Sequence, residues 1–215
     1  MNIKKFDRGP LGANMYVLMS EGSYFIVDPC CRPSIAKDYF SEIGFNYDNL
    51  KAIFITHGHF DHIAHVDSWK SEFPDVPLYI ADEDFDCFDD SMANGSFVFG
   101  SNSSYASTPT SLKNLNGKFV MDDDVTLSFI KTPGHSKGSV CYLVDSKSSD
   151  ESYMFSGDML FSGSVGRTDL PGGDFNEMDA SIKALKDIET NYIVLPGHGP
   201  STTLNEEKRC NPYFF

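Results

Sequence analysis

Basic side chains are scarce in this sequence: seventeen lysines and arginines face thirty-one aspartates and glutamates, a formal net charge of −14 over 215 residues. Such a field repels phosphate backbones and anionic bilayers, which argues against a nucleic-acid or membrane partner. Long apolar runs are missing too. No stretch approaches the roughly 20 apolar residues of a membrane-spanning helix. The opening MNIKKFDRGPLGANMYVLMSEG has neither a signal-peptide core nor a small-residue cleavage site, so a cytoplasmic location is expected. Cysteine is sparse and odd in number, at positions 30, 31, 87, 141 and 210. That spacing makes no disulfide framework, and reduced thiols are the simplest reading. The adjacent Cys30 and Cys31 could form a vicinal disulfide or a soft metal site, but no second cysteine pair completes a ligand set.

The length allows one sizeable core and by itself leaves one or two domains open across residues 1–215. The runs YVLM, YFIVD, KAIFIT, LYIA, VTLSFIK, SVCYLVD, YMFS and YIVLP are β-branched or aromatic and close on Gly, Pro, Asp or Ser. They read as buried strands. Helical spacing appears over Pro33–Ile43, over Asp61–Phe73 and over Asn176–Ile188. Sheets sandwiched by helices follow from this order. Residues 83–118 differ: DEDFDCFDDSMANG is acidic with some helical character, and SNSSYASTPTS is a polar loop without hydrophobic period. A mobile surface insertion, or a lid over a site, is the expectation there.

Histidine is scarce as well, and its placement is informative. Of six, three fall in "FITHGHFDHI" at positions 57, 59 and 62, and the others are His65, His135 and His198. His135 follows the strand VTLSFI in TPGHSKGS, His198 follows YIVL in LPGHGP, and Asp158 follows YMFS in SGD. Four strands thus each run into a glycine-containing turn that presents His or Asp. Rigid strand ends hold ligands well, and glycine permits the turn. Residues 57 and 59 of an extended segment project to one side and can chelate one metal, while Asp61 and His62 reach another point. Imidazole and carboxylate without thiolate suit Zn²⁺, Fe or Mn²⁺, and seven candidates are too many for one closed structural ion.

The motifs THGHFDH, TPGHSKGS, FSGD and LPGHGP resemble the metallo-β-lactamase superfamily in order and spacing. GSVGRTDLPGGD, GPLGANMYVL, YFIVDP and the C-terminal TTLNEEKRCNPYFF are similar to its glyoxalase II-like (hydroxyacylglutathione hydrolase-like) branch, in a short single-domain form. The resemblance implies an αββα four-layer sandwich, two mixed β-sheets flanked by helices. It assigns His57, His59 and His135 to one metal, Asp61, His62 and His198 to a second, and Asp158 to a bridge. His65 matches no ligand position.

What the resemblance implies chemically is hydrolysis of a thioester, S-D-lactoylglutathione or a related acyl thiol, by a hydroxide held between two divalent ions, zinc first. Asp61 would orient that hydroxide, and Arg167 falls where a basic glutathione contact belongs. Three departures stand out. Residues 199–215 are too few for the helical domain that supplies part of a glutathione site, Pro200 stands where an aromatic contact is expected, and Cys30 replaces a glycine. The alternatives are a mononuclear-iron persulfide dioxygenase, which shares GRTD, a lactone or β-lactam hydrolase, and a metal-binding module without turnover. Phosphodiesters are disfavoured by the negative charge.

Overall fold

In the computed structural model, which describes residues 1–215, the apolar runs assemble into two mixed sheets. The first has the spatial order β1 (Asn2–Phe6), β2 (Met15–Ser20), β3 (Ser23–Val27), β4 (Leu50–Phe54), β5 (Leu78–Ile80) and β6 (Thr110–Ser111). Pairing is antiparallel from β1 to β3 and parallel from β3 to β6. The second sheet takes β7 (Lys118–Val120), β8 (Val125–Lys131), β9 (Val140–Ser146) and β10 (Tyr153–Gly157). A hairpin of β11 (Leu160–Phe161) and β12 (Ser164–Val165) follows, before β13 (Ile193–Pro196) and β14 (Thr202–Thr203) rejoin that sheet in the order β14-β13-β10-β9-β8-β7. Only β10 and β13 pair in parallel there.

Period-two alternation sorts the strand side chains into three packed layers. Between the sheets, Phe25, Val27 and Phe54 meet Tyr142, Val144 and Phe155. The alternate residues Tyr24, Ile26 and Ile53 pack on Phe40 of α1 (Pro33–Ile43) and Trp69 of α2 (Val66–Glu72). On the far side, Cys141, Leu143, Met154 and Val194 cover Met178, Ile182 and Leu185 of α3 (Phe175–Lys186) and Leu204 of α4 (Leu204–Cys210). The result is a four-layer αββα sandwich. Strands β2 and β3 are buried on both faces, which is why they read as continuous apolar runs. Full burial of each large side chain stabilises the fold by about 1.5–3 kcal/mol.

All eight expected strand runs are strands, and α1 has the expected bounds. The second helix is shorter than its spacing suggests. It starts at Val66 because the His65 amide donates to the Pro29 carbonyl, which takes it out of any helical ladder. Residues 61–65 therefore form turns, although Ile63, Val66 and Trp69 still face the core. The third helix begins at Phe175 because Asp174, not Asn176, is its cap: the Asp174 side chain accepts from the amides of Asn176 and Glu177. It ends at Lys186 rather than Ile188.

Residues 83–118 form short 3-10 turns over Asp82–Phe88, Ser96–Phe99 and Leu112–Leu115, plus the edge strand β6. Asp84, Asn94 and Ser96 are buried within this stretch. The polar loop is tied to α2 by Asp67, which accepts from the amides of Ala106 and Ser107 and from the Ser107 hydroxyl. All five cysteines are free thiols, and the Cys30 and Cys31 sulfurs lie 3.9 Å apart. Cys30 has a packing role: it fills the space beside Gly9, where a Cβ would lie 2.5 Å from its sulfur.

Candidate metal centre

The loops after β4, β8, β10 and β13 meet, and they bring together all seven side chains singled out as ligands. After β4 the chain bends at Thr56, runs through His57 and His59 without regular structure, then turns back as the His62 amide donates to the His59 carbonyl. The ligand atoms of His57, His59 and His135 lie within 4.8 Å of one another, and so do those of Asp61, His62 and His198. Asp158 stands between the two sets. Its Oδ1 is 3.3 Å from Nε2 of His62, and its Oδ2 is 3.5 Å from Nε2 of His135 and 3.6 Å from Nε2 of His198. Nδ1 of His59 faces Nε2 of His135 at 2.8 Å, and Oδ2 of Asp61 faces Nε2 of His198 at 3.1 Å. Glycine at 197 is required by this crowding, since a Cβ there would sit 2.3 Å from Oδ1 of Asp158. His65 lies outside these groups, at the start of α2.

The outer nitrogens of three imidazoles are tied down. Nδ1 of His135 donates to the Arg167 carbonyl at 2.8 Å, Nδ1 of His62 to Oδ2 of Asp28 at 2.9 Å, and Nδ1 of His57 to the Thr56 hydroxyl at 3.1 Å. Their Nε2 atoms are thereby turned inward as lone-pair donors, the arrangement that orients metal-bound histidine. Nε2 of His57, Nε2 of His62 and Oδ1 of Asp158 are buried without a hydrogen-bond partner. Leaving such groups unpaired costs about 1–3 kcal/mol each. The ligand atoms of His57, His62 and Asp158 also lie within 4.8 Å of one another, so cations in this cluster, whether shared among these three or held in the two sets, would satisfy them, and the donor set fits borderline divalent ions.

The electrostatics differ between the two sets. Burial, reinforced by the neighbouring imidazoles, pushes His57 well below the usual histidine range, and burial with His135 lowers His59 to about 3. For His62 burial is outweighed by Asp158, Asp61 and Asp28, which raise it well above that range. His198 is also raised, burial being overcome by its hydrogen bond to Asp61 and by Asp158. Burial alone would raise Asp158 and Asp61, but His62 and the other imidazoles hold both carboxyls below their ordinary values.

The Metallo-beta-lactamase superfamily model matches residues 8–198. The chain belongs to that superfamily. It is 34% identical over 214 residues to "Probable metallo-hydrolase YqgX" of Bacillus subtilis (strain 168), covering 99% of this chain and 97% of that protein. "Hydroxyacylglutathione hydrolase GloC" of Haemophilus influenzae is 32% identical over 166 residues, 77% of this chain and 76% of that protein. Among solved structures, BLEG-1 B3 metallo-beta-lactamase superposes with a TM-score of 0.86 at 32% identity over 99% of each chain. The class of the protein is metallo-hydrolase.

Three residues important to this metallo-beta-lactamase superfamily site escape sequence reasoning. Asp28, buried and with a left-handed φ of 54°, orients His62. Asp84 accepts from the amides of Gly58 and Gly138 and from the Ser136 hydroxyl, joining the His57–His59 loop to the His135 loop. Asn14 donates to the carbonyls of Pro196 and Gly199 and so fixes the turn carrying His198. Arg167 differs from expectation. The residue borders the cleft, but its guanidinium is held by Asp169 at 2.5 and 2.7 Å, and its carbonyl is what reaches His135.

Proposed function

We propose that this metallo-hydrolase cleaves a thioester, S-D-lactoylglutathione or a related acyl thiol, at a dinuclear centre. The observation that carries the reading is the Asp158 carboxylate lying between two three-residue ligand sets, with Asp61 on the cleft beside it. The resemblance to GloC supports the thioester class. His57, His59 and His135 would hold one divalent ion, zinc, iron or manganese, and Asp61, His62 and His198 the other, with Asp158 shared. When bound, two such ions supply Lewis acidity and lower the pKa of water towards neutrality.

The chain's own residues do the rest. Asp61 stands on the cleft beside His198; with one carboxylate oxygen towards the ion its set would hold, the other is free to accept a proton from the attacking water and aim its lone pair at the carbonyl. Asp61 is ionised at neutral pH, since His62 and His198 outweigh the effect of burial on it. The Arg167 carbonyl and Asp28 keep His135 and His62 from rotating. A C–O bond forms, the C–S bond breaks, and the thiolate departs without a dedicated acid.

The test is an aerobic assay of protein loaded with Zn²⁺, Fe²⁺ or Mn²⁺ against S-D-lactoylglutathione, other acyl thiols, a β-lactam and glutathione persulfide. Thioester cleavage that falls about 10²-fold or more in Asp61→Asn is expected, the scale of general acid–base contributions. β-Lactam turnover or oxygen uptake with persulfide, in the absence of thioester cleavage, would sink the proposal.

A further inference from the structure

We infer that the thioester taken by this cleft has an apolar, uncharged acyl group on a thiol without the charged ends of glutathione; the inference rests on the thioester reading above. Over the floor of imidazoles and carboxylates, the walls are Leu11, Phe60, Phe99, Phe161 and Leu170. Phe60 and Phe99 form one aromatic wall, with ring centroids 5.5 Å apart. That wall is seated on the centre itself, because a side chain at Gly95 would meet the His59 ring and the Phe60 amide donates to the Asn94 carbonyl. Leu11 is 59% exposed and Phe99 48%, and Phe97 and Val98 beside it extend the apolar rim outward. Contiguous exposed apolar side chains around a few convergent polar groups mark a site for an apolar ligand.

Leu11 adds an independent sign. It is a bulky side chain held at φ 55°, a backbone region that such residues rarely enter. Strain of this kind gathers at ligand sites, where the surroundings enforce it. Here it accompanies a leucine side chain at the cleft wall instead of in the core.

Charge points the same way. Arg167 is the one lysine or arginine lining the cleft, and both Nε and Nη2 of its guanidinium are taken by Asp169. A glutathione carboxylate would find the two-pronged Nε/Nη2 edge already held by Asp169, leaving it only the Nη1 side of the guanidinium. The net charge of −14 adds a weak repulsion of the anionic tripeptide. The cleft, about 280 Å³, is at the small end of ligand sites and holds an acyl chain against its apolar walls.

The experiment is calorimetric titration of the metal-loaded full chain with uncleavable thioethers: S-methyl- and S-hexyl-N-acetylcysteamine, and S-hexylglutathione. In parallel, kcat/KM is measured for hexanoyl-N-acetylcysteamine and S-D-lactoylglutathione. Each buried methylene is worth about fourfold in affinity, so the hexyl ligand should bind at least about tenfold tighter than the methyl one. The glutathione thioether should bind no tighter than its uncharged counterpart, and kcat/KM should favour the hexanoyl ester. Phe99→Ala and Leu11→Gly should each remove part of the chain-length effect. Asp169→Asn, which frees Arg167, should selectively strengthen S-hexylglutathione. Equal binding of methyl and hexyl ligands, or a wild-type preference for the glutathione compounds, overturns the inference and leaves thioester hydrolysis standing. Chain-length-dependent binding with no thioester turnover under any metal does the reverse: it supports an apolar ligand and removes the hydrolase reading.

Discussion

Oδ2 of Asp28 lies 2.9 Å from Nδ1 of His62, and the same oxygen accepts a 2.8 Å hydrogen bond from the Thr56 hydroxyl that orients His57. Oδ1 accepts from the Thr56 amide at 2.8 Å. One buried carboxylate thus sets two imidazoles, one from each ligand set, and all its partners are donors. Asp28→Asn replaces one acceptor with an N–H₂ group that must face a donor. Metal affinity should fall about 10–100-fold, the usual effect of losing such an orienting partner, while the far-UV circular dichroism is unchanged. Competition against a chromogenic chelator measures it, and wild-type affinity in the variant would remove Asp28 from this role.

Asp158 gives a test of the dinuclear reading. It stands within 3.6 Å of histidines from both sets, where its carboxylate would offset part of the repulsion between two dications if both sets were filled. Asp158→Ala should fold, hold at most one ion and lose activity. Equilibrium dialysis against Zn²⁺ followed by elemental analysis gives both stoichiometries. A variant that keeps two ions at wild-type affinity shows that Asp158 is no bridge, and a wild type that never exceeds one ion defeats the dinuclear model.

Acid should strip the two sets in order. Protons compete with metal for imidazole nitrogen. His57 and His59 are held below the ordinary histidine value of 6.5 by burial, so they stay neutral as pH falls through it. His62 and His198 are raised above it by Asp158 and Asp61, so they take up protons at higher pH. The sign is therefore that, as pH falls, the Asp61–His62–His198 set loses its ion before the His57–His59–His135 set, whose His57 and His59 resist protonation. Metal content after equilibration along a pH series should show two steps in that order. A single step, or retention of an ion by the second set alone, contradicts it.

Much of this was legible because the signals are local. A strand, a glycine and a histidine or aspartate recur four times within a few residues each, and the buried strands announce themselves by composition. The short edge strands β1, β6, β7 and β14 have too few apolar residues for any period, and their pairing comes from neighbours. Asp28 and His62 are 34 residues apart, Asp84 and Gly138 are 54 apart, and Asn14 finds Pro196 across 182. Among the six acidic residues of positions 82–90, nothing in the sequence marks Asp84 as the one that folds inward. Arg167 is different, because its partner Asp169 stands in the same GRTD motif and the pairing could have been read there.

Asp84 joins the two loops that carry the first ligand set. Its Oδ2 accepts from the Gly58 amide at 2.8 Å and the Ser136 hydroxyl at 2.7 Å, and its Oδ1 accepts from the Gly138 amide at 2.7 Å. Gly58 separates His57 from His59, and Ser136 follows His135, so one side chain sets the spacing between those histidines. The fit is close: a Cβ at Gly138 would lie 2.5 Å from the Asp84 carboxyl carbon. Burial raises the Asp84 pKa, and these three donors partly offset that effect. Asp84→Asn turns one acceptor into a donor facing a buried N–H or O–H, which should cost about 1–3 kcal/mol of stability. The loss should appear in denaturant unfolding of metal-free protein, where no ion masks it. In the loaded protein, affinity should fall more at the His57–His59–His135 set than at the other, since Asp84 bonds beside all three of those histidines but forms no hydrogen bond to Asp61, His62 or His198 themselves. Gly138→Ala should reproduce both effects from the opposite side by pushing the carboxylate away. Loss of stability with both metal affinities intact would make Asp84 a folding clamp only, and an equal loss at both sets would show that the loops move as one unit.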